Sequence, residues 1–511
     1  MTTTSSTDVR PPDPTGIPGL DYVLRGGLPA GHLYLVQGTA GAGKTTLALQ
    51  FLMEGARRGE SVVWCTLSET EAQIRAIARS HDWDLSGIRV VNLTDRSGGT
   101  TLPDAQYSFF SPADIELDDV TRAVVDLIER ERPRRLVFDP FSDVRLLARD
   151  PLRYRRQVLE LREHFERAGV TVLLILEQDV LGAAAADPAA EGIVHGIFGI
   201  YQTAPDYGRP RRRMRILKLR GLNYREGFHD LALNTGGIVV FPRLVASDHA
   251  QPSDAPPAST GLEALDAMLG GGLDRGASLL ITGPAGTGKS TLASQFAVAA
   301  ARRGERAALY LFDETLRAFD ARSDGLRLGV DAPEVRDLVR VVQVDPAEVS
   351  PGEFAHNVRR AVEEDGCTLV TLDSLNGYLS AMPDERHLAL HMHELLTYLS
   401  LRRVVTILTV NQTGFSAGAV ESPVEVSYLA DTVLALRYFE ADGAVRRAAS
   451  VVKRRCGGHE FTIRDMEIAP GGVRFGHPLS EFRGVLTGQP EYTGAPGQLQ
   501  PARPDGSRTS A

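Results

Sequence analysis

Short apolar runs rich in β-branched residues alternate along the chain with longer stretches whose apolar positions follow a helical period. The short runs have strand length and the long stretches have helix length, so the pattern predicts alternating strands and helices. This alternation is typical of an α/β fold, a mostly parallel sheet covered by helices on both faces. The predicted elements are Leu33–Gln37, Thr46–Arg58, Ser61–Leu67, Leu117–Glu131, Leu136–Asp139, Tyr154–Ala168 and Thr171–Leu176, followed by Leu279–Thr282, Leu292–Arg302, Ala307–Phe312, Leu369–Asp373 and Val404–Val410.

The second half of the chain repeats the first. Residues 15–21, TGIPGLD, recur as residues 260–266, TGLEALD, and the match continues without a gap to Lys44 and Lys289, always 245 positions apart. So long a period predicts a duplicated domain rather than a solenoid.

The repeat predicts domains at 15–245 and 259–483. Residues 246–258 are rich in Pro, Ser and Asp and lack apolar periodicity, which is typical of a linker. The polar ends, 1–14 and 484–511, are predicted to be disordered.

Both copies contain a glycine-rich loop of the form GxxxxGK[ST], at Gly38–Thr45 and Gly283–Ser290. In such a loop backbone N–H groups cradle phosphates, the lysine neutralises the β and γ phosphates, and the last hydroxyl ligates Mg²⁺. A flexible glycine turn is the alternative, but two matches in register, each between a strand and a helix, favour ATP binding. The predicted nucleotide-binding residues are Gly38, Thr39, Gly41, Ala42, Gly43, Lys44, Thr45 and Thr46, with Gly283, Gly286, Thr287, Gly288, Lys289, Ser290 and Thr291.

A P-loop needs an acid that holds Mg²⁺ through water, and Asp139 and Asp373 each end an apolar strand where that acid belongs. An unpaired structural carboxylate would be costly at such a position. A helix cap is the alternative for each residue alone. With Thr45 and Ser290, these acids complete the predicted metal sites.

Carboxylates also follow the strand after each P-loop helix: Glu69 in the first copy, and Asp313 and Glu314 in the second. A carboxylate at this strand tip can orient or deprotonate the attacking water or hydroxyl. A capping box that opens the next helix is the alternative, and the two roles are compatible.

A Lys-x-Arg motif recurs late in each copy, and alternation places both of its cations on one face of a strand. Cations at a sheet edge can reach the γ-phosphate bound by a neighbouring subunit, as an arginine finger does. Solubilising charges on an edge strand are the alternative, but they give no reason for both copies to carry them. The predicted catalytic cations are Lys218, Arg220, Lys453 and Arg455.

Composition narrows the possible partners. With 43% hydrophobic and 24% charged residues in 511, the chain has the profile of a soluble globular protein. No apolar run approaches the roughly 20 residues that cross a bilayer, and the three cysteines are far apart, which together predict a cytoplasmic protein without a membrane partner. A net charge of -9 removes any global attraction to nucleic acid, and the short basic run Arg209–Arg213 is interpreted as a solvated or subunit-facing patch.

These residues together resemble the KaiC family over about residues 15–483. The similarity lies in the opening segment Thr15–Gly43, the paired P-loops, the strand-ending acids and the paired Lys-x-Arg motifs. The resemblance implies two tandem RecA-like P-loop NTPase domains in a two-tiered hexameric homo-oligomer with ATP between subunits. It further implies slow ATP hydrolysis in the N-terminal tier and autophosphorylation in the C-terminal tier, with ATP and Mg²⁺ as cofactors.

The chain departs from the family pattern at two places. The family carries two consecutive glutamates at the catalytic strand tip, whereas this chain has Ser68 before Glu69 and Asp313 before Glu314. This difference predicts faster turnover in the second domain than in the first. The family's adjacent Ser-Thr phosphoacceptors correspond to Ser427 and Tyr428; the tyrosine hydroxyl lies farther from the backbone, so Ser427 is the expected acceptor.

Three functions are compatible with the sequence. The first is an ATPase and serine autokinase that acts as a slow signalling or clock-type switch. The second is a RecA-like DNA recombination ATPase, which would need a basic channel that the charge of -9 disfavours. The third is a nucleotide-gated assembly scaffold with little turnover, which the serine at position 68 favours. No signalling partner can be named from the sequence.

Overall fold

A computed structural model describes residues 10–93, 117–148, 150–177, 188–205, 208–246, 256–380, 388–412, 428–441, 443–455, 457–486 and 490–494. The chain forms two compact units that divide between Arg243 and Leu244. Each unit is built around its own sheet.

The first unit combines short helices with a large sheet. Its helices are α1 (Leu20–Val23), α2 (Lys44–Arg57), α3 (Glu71–Arg79), α4 (Leu117–Glu131), α5 (Ser142–Ala148), α6 (Pro151–Ala168) and α7 (Pro188–Ile193). Its strands are β1 (Leu33–Gly38), β2 (Val62–Thr66), β3 (Arg89–Asn92), β4 (Arg135–Phe138), β5 (Thr171–Glu177), β6 (Gly196–Thr203), β7 (Arg211–Leu219), β8 (Phe228–Asn234) and β9 (Gly237–Phe241).

The second unit repeats this plan. Its helices are α8 (Glu263–Met268), α9 (Lys289–Arg302), α10 (Leu316–Gly325), α11 (Pro351–Glu363), α12 (Leu375–Ser380) and α13 (Leu388–Leu401). Its strands are β10 (Ser278–Gly283), β11 (Arg306–Leu311), β12 (Val339–Gln343), β13 (Cys367–Asp373), β14 (Val405–Asn411), β15 (Thr432–Ala441), β16 (Ala444–Arg454), β17 (Arg464–Ala469), β18 (Gly472–Pro478), β19 (Phe482–Arg483) and β20 (Glu491–Tyr492).

The two large sheets have the same strand order. Among the described residues the first runs β3-β2-β4-β5-β1-β6-β7-β8-β9 and the second runs β12-β11-β13-β14-β10-β15-β16-β17-β18. In the first sheet, the first six strands in this order, from β3 to β6, pair in parallel, and β7, β8 and β9 add an antiparallel edge. The predicted fold, two tandem RecA-like α/β domains, is confirmed.

Both faces of each sheet are buried, as the continuous apolar strands predict. Along β1, Leu33 and Leu35 join one hydrophobic cluster while Tyr34 and Val36 join another. Strand side chains alternate between faces, so the two clusters lie on opposite sides of the sheet.

Residues 10–14, 484–486 and 490–494, which were predicted to be disordered, are part of the described structure, and the rest of the two predicted tails lies outside the described residues. Asp13 is buried, pairs with Leu28 in an antiparallel bridge, and forms a 2.7 Å ion pair with Arg134. At the other end, β19 pairs with β20 beyond position 483. Polar composition predicted disorder here because it cannot show that a single carboxylate or strand pair has a partner elsewhere in the fold.

Arg135 carries the most deeply buried cation of the first unit's described ion pairs, with a side chain that is 0% exposed. Its Nε lies 2.5 Å from Glu60 Oε2, and its Nη1 donates to the carbonyl oxygens of Pro14 at 2.7 Å and Phe51 at 3.0 Å. One side chain therefore ties β4 to α2 and to the N-terminal segment.

We expect Arg135→Met to lower the free energy of unfolding by about 3–5 kcal/mol, because it leaves the Glu60 carboxylate and two carbonyls without their donor. Arg130→Met is the matched control: Arg130 pairs with Glu131 at the surface, where an ion pair contributes about 1 kcal/mol or less. Urea unfolding of the full chain measures both. Equal losses in the two variants would contradict the prediction.

Candidate functional site

The first P-loop connects β1 to α2 at the carboxyl edge of the sheet. Gly41 and Gly43 have φ values of 73° and 106°, a region that glycine tolerates best. A Cβ on Gly38 would lie 2.3 Å from the Ile200 carbonyl oxygen. The second loop repeats this geometry, with φ of 78° at Gly286 and 105° at Gly288. The glycines are thus required by the path of the backbone.

Both P-loop lysines fold over their own loop. Lys44 Nζ donates to the carbonyl oxygens of Gly38 at 2.9 Å and Thr39 at 2.8 Å, and Lys289 does the same with Gly283 and Pro284 at 2.9 and 2.8 Å. Burial lowers the pKa of Lys44, and it lowers the pKa of Lys289 to about 8. An anionic ligand in the loop would oppose both shifts and keep the amines charged.

The strand-ending acids meet the P-loop hydroxyls. Thr45 Oγ1 donates to Asp139 Oδ2 at 2.8 Å, although β5 lies between β4, which Asp139 follows, and β1, which precedes the P-loop. In the second unit Asp373 accepts hydrogen bonds from Ser290 and from Thr409. A hydroxyl beside a carboxylate is an oxygen ligand set that suits Mg²⁺, which takes few protein ligands beyond the substrate phosphates.

Burial raises the pKa of Asp139 to about 7, against the hydrogen bond from Thr45, and Glu69 adds to the rise by charge repulsion. Burial also raises the pKa of Asp373. A divalent cation would remove the penalty of a buried negative charge at both positions.

The strand-tip carboxylates do not cap the helices that follow them, because the next residue, a threonine in both units, does so. Thr70 caps α3 in a capping box with Gln73, and Thr315 accepts a hydrogen bond from the N–H of Ala318. Glu69 is half-buried, its Oε2 has no hydrogen-bond partner among the described residues, and burial raises its pKa. Its carboxylate is therefore not used by the local fold.

The second unit holds its two carboxylates differently. Glu314 forms a two-point ion pair with Arg322, at 3.0 and 2.8 Å, whereas Asp313 accepts a hydrogen bond from Ser374. Ile77 stands at the repeat position of Arg322, so Glu69 lacks this partner.

The Lys-x-Arg cations lie at the opposite edge of their sheets. Leu219 pairs with Gly196, which pairs with Tyr34 near the start of β1, while the P-loop follows the end of β1. Lys218 donates to the Glu191 carbonyl oxygen at 2.7 Å and Arg220 to that of Gly192 at 3.3 Å. The structure does not bring these cations to the P-loop of their own unit.

The second unit shows the same separation. Lys453 donates to the Ala430 carbonyl oxygen at 2.8 Å, and Arg455 contacts Asp431 at 3.2 Å and the Tyr428 carbonyl oxygen at 2.7 Å. Tyr428 is 53% exposed. Ser427, the predicted acceptor, lies outside the described residues.

The sequence of the chain matches a known protein family. The family model described as "ATPase: KaiC" matches the chain twice, over residues 13–245 and 258–480. The chain belongs to the KaiC family of ATPases.

Similar KaiC-family proteins cover nearly the whole chain. The circadian clock protein KaiC3 of Synechocystis sp. is 27% identical over 489 residues, 94% of each chain. The circadian clock oscillator proteins KaiC of Acaryochloris marina and Thermostichus vulcanus are 26% and 28% identical, over 93% of this chain and 90% and 91% of their own. Among the described residues of the KaiC-family chain, no helix is both long and apolar enough to span a bilayer.

Sequence analysis missed one pair of site residues in the KaiC-family chain. Arg212, in the basic run interpreted as a surface patch, points its guanidinium at the Gly41 carbonyl oxygen at 3.4 Å, and Arg447 does the same to Gly286 at 3.4 Å. Each arginine precedes the lysine of its Lys-x-Arg motif by six positions. That shared spacing was the available signal.

We expect Asp139→Asn to weaken the Mg²⁺ dependence of nucleotide binding about ten- to a hundredfold, because a neutral amide orients the ion's ligands poorly. The measurement is the affinity for a fluorescent ATP analogue with Mg²⁺ and with EDTA, in a Lys289→Ala chain so that the first P-loop binds. Asp126→Asn, an exposed position on α4, is the matched control. An unchanged Mg²⁺ effect in Asp139→Asn would remove this residue from the metal site.

Proposed function

We propose that this KaiC-family chain binds ATP with Mg²⁺ at both P-loops, hydrolyses it slowly, and phosphorylates itself on Ser427 within a ring of subunits. One observation carries the proposal: each unit has a P-loop, a strand-ending acid and a strand-tip carboxylate at one edge of its sheet, and a Lys-Arg pair at the opposite edge. A site divided in this way fits a reaction completed by a second copy of the chain.

In the first domain, the residues around the P-loop have separate tasks. Backbone N–H groups of Gly41 to Lys44 bind phosphate oxygens, and the Lys44 ammonium neutralises the γ-phosphate. Thr45 and Asp139 hold Mg²⁺, which supplies charge stabilisation to the phosphates when bound. Glu69 accepts a proton from the attacking water, since its carboxylate is near Asp139 and has no other described partner.

Strand length argues that the cations act between subunits. β1 has six residues, so its ends are five steps apart, roughly 16 Å at about 3.3 Å per step, and this length separates Lys218 and Arg220 from their own P-loop. If the cationic edge of one subunit meets the P-loop edge of the next, the contact is head-to-tail, and such contacts form a ring when the rotation from one subunit to the next closes. The hexamer of the KaiC family is the ring we propose.

The residue after the proposed phosphoacceptor lies on the same side as the cations, because Arg455 binds the Tyr428 carbonyl oxygen at the edge away from the P-loop of its own domain. Ser427 directly precedes Tyr428 in the sequence. We propose that transfer to Ser427 occurs across a subunit interface. Asp313 is the proposed base, because Glu314 is engaged by Arg322.

The similar proteins are described as circadian clock proteins. We extend to this chain a timing or signalling role of the same kind, in which the phosphorylation state of Ser427 is the slow variable.

We expect subunits that carry Arg220→Ala and subunits that carry Lys44→Ala, both in a Lys289→Ala background, to be inactive alone and to recover ATPase activity when mixed. Random head-to-tail assembly at equal concentrations leaves about a quarter of the interfaces with both groups intact. Phosphate release and sedimentation with and without ATP are the measurements.

Leu217→Ala, at an exposed position directly before Lys218, is the matched control and should remain active. A monomer with the full hydrolysis rate, or two inactive variants that do not complement each other, would contradict action between subunits.

We expect long incubation with γ-labelled ATP to label the wild-type chain at Ser427, and Ser427→Ala and Lys289→Ala to abolish the label. Tyr428→Phe should keep it, because the tyrosine hydroxyl lies too far from the backbone for a serine-sized site. Mass-spectrometric site mapping decides between the residues. Undiminished label in Ser427→Ala, or an unlabelled wild type that still releases phosphate, would leave an ATPase without kinase activity.

A further inference from the structure

The serine at position 68 raises the question of how the first ATPase site works without the carboxylate that the second unit has in Asp313. A carboxylate is nevertheless present at this strand tip. Asp143, on α5 and four residues after Asp139, accepts a hydrogen bond from the Ser68 hydroxyl. It lies close enough to Glu69 for the two charges to interact.

The second unit has the reverse arrangement. Four residues after Asp373 stands Gly377, on α12. A Cβ on Gly377 would lie 2.4 Å from Asp313 Oδ1 and 2.7 Å from Phe312 Cβ. Asp313 and Phe312 therefore leave no room for a side chain at this position. The second unit has an aspartate at the strand tip and a glycine on the helix, whereas the first has the short Ser68 at the strand tip and Asp143 on the helix.

We infer that Asp143 supplies to the first ATPase site the carboxylate that position 68 lacks, and that it orients the attacking water together with Glu69. The inference rests on the proposed hydrolysis in the first domain. It also removes the reason for ranking the first domain below the second, since both sites then have two carboxylates at the strand tip.

In the step concerned, the water oxygen forms a bond to the γ-phosphorus, and the bond from phosphorus to the β–γ bridging oxygen breaks with its electron pair leaving on ADP. Glu69 accepts one water proton. Asp143 accepts a hydrogen bond from the other O–H and so fixes the direction of attack. The phosphate carries the second proton away.

The test moves the carboxylate from one element to the other. In a Lys289→Ala chain, Asp143→Gly and Asp143→Asn should each lower kcat about 10²-fold while KM and affinity for the ATP analogue change little. The double variant Ser68→Asp with Asp143→Gly, which copies the second unit, should regain most of the lost kcat. Ser68→Asp alone should not exceed the wild type, because two carboxylates would then compete for one space.

A purely structural role for Asp143 makes a different prediction. Asparagine can still accept the Ser68 hydrogen bond, so a structural role would leave Asp143→Asn active. Wild-type kcat in Asp143→Asn, or a double variant that binds ATP normally but recovers no kcat, overturns the inference while the ATPase proposal stands. An inactive first domain in the Lys289→Ala chain overturns both.

The converse exchange in the second unit tests the inference even if the variants of the first unit misfold. In a Lys44→Ala chain, Asp313→Ser should lower turnover of the second domain, and Asp313→Ser with Gly377→Asp should regain it. These variants leave α5 and Ser68 untouched. If neither domain tolerates relocation while thermal melting shows intact folds, the two carboxylates are not equivalent and the inference is wrong.

Discussion

Parallel pairing of β4, β5 and β1 is the constraint on which the rest of each unit depends. Parallel strands end at the same edge of the sheet, so Asp139 and the P-loop meet although 94 residues separate Asp139 from Thr45. The same alignment brings Glu69 from β2 to this edge. Because the central strands β1, β4 and β5 are buried on both faces, polar chemistry is confined to their ends, where loops and helix N-termini provide N–H groups and space.

The same strand arrangement places the Lys-x-Arg cations at the edge of the sheet opposite the P-loop of their own unit. The antiparallel turn from β6 into β7 returns the chain toward the start of β1, and Lys218 and Arg220 follow at the end of β7. In the function proposed above, the P-loop and these cations are the two parts of one active site, and head-to-tail association would bring them together.

The two units share their strand order but differ in the side chains that form equivalent ion pairs. Glu60 and Glu305 occupy the same repeat position, but Arg135 holds the first from β4, whereas Arg275 holds the second at 2.6 Å and lowers its pKa to about 2. The carboxylates Asp313 and Asp143 differ in the same way, since the first follows a strand of the second unit and the second lies on a helix of the first unit. In both comparisons each unit has a side chain of the same charge, but it comes from a different element.

The sequence by itself determined the fold class, the duplication and both P-loops, because these depend on local patterns: apolar periodicity, glycine spacing and a repeat in register. It also located Asp139 and Asp373, since a strand-ending acid can be identified from the strand alone. The tertiary structure alone decided that Asp13 is ordered, that Arg212 and Arg447 contact the P-loops, that Arg322 engages Glu314 and that Asp143 meets Ser68. In each of these cases the partners come from elements far apart in the chain, and only the folded sheet determines which side chains share a place.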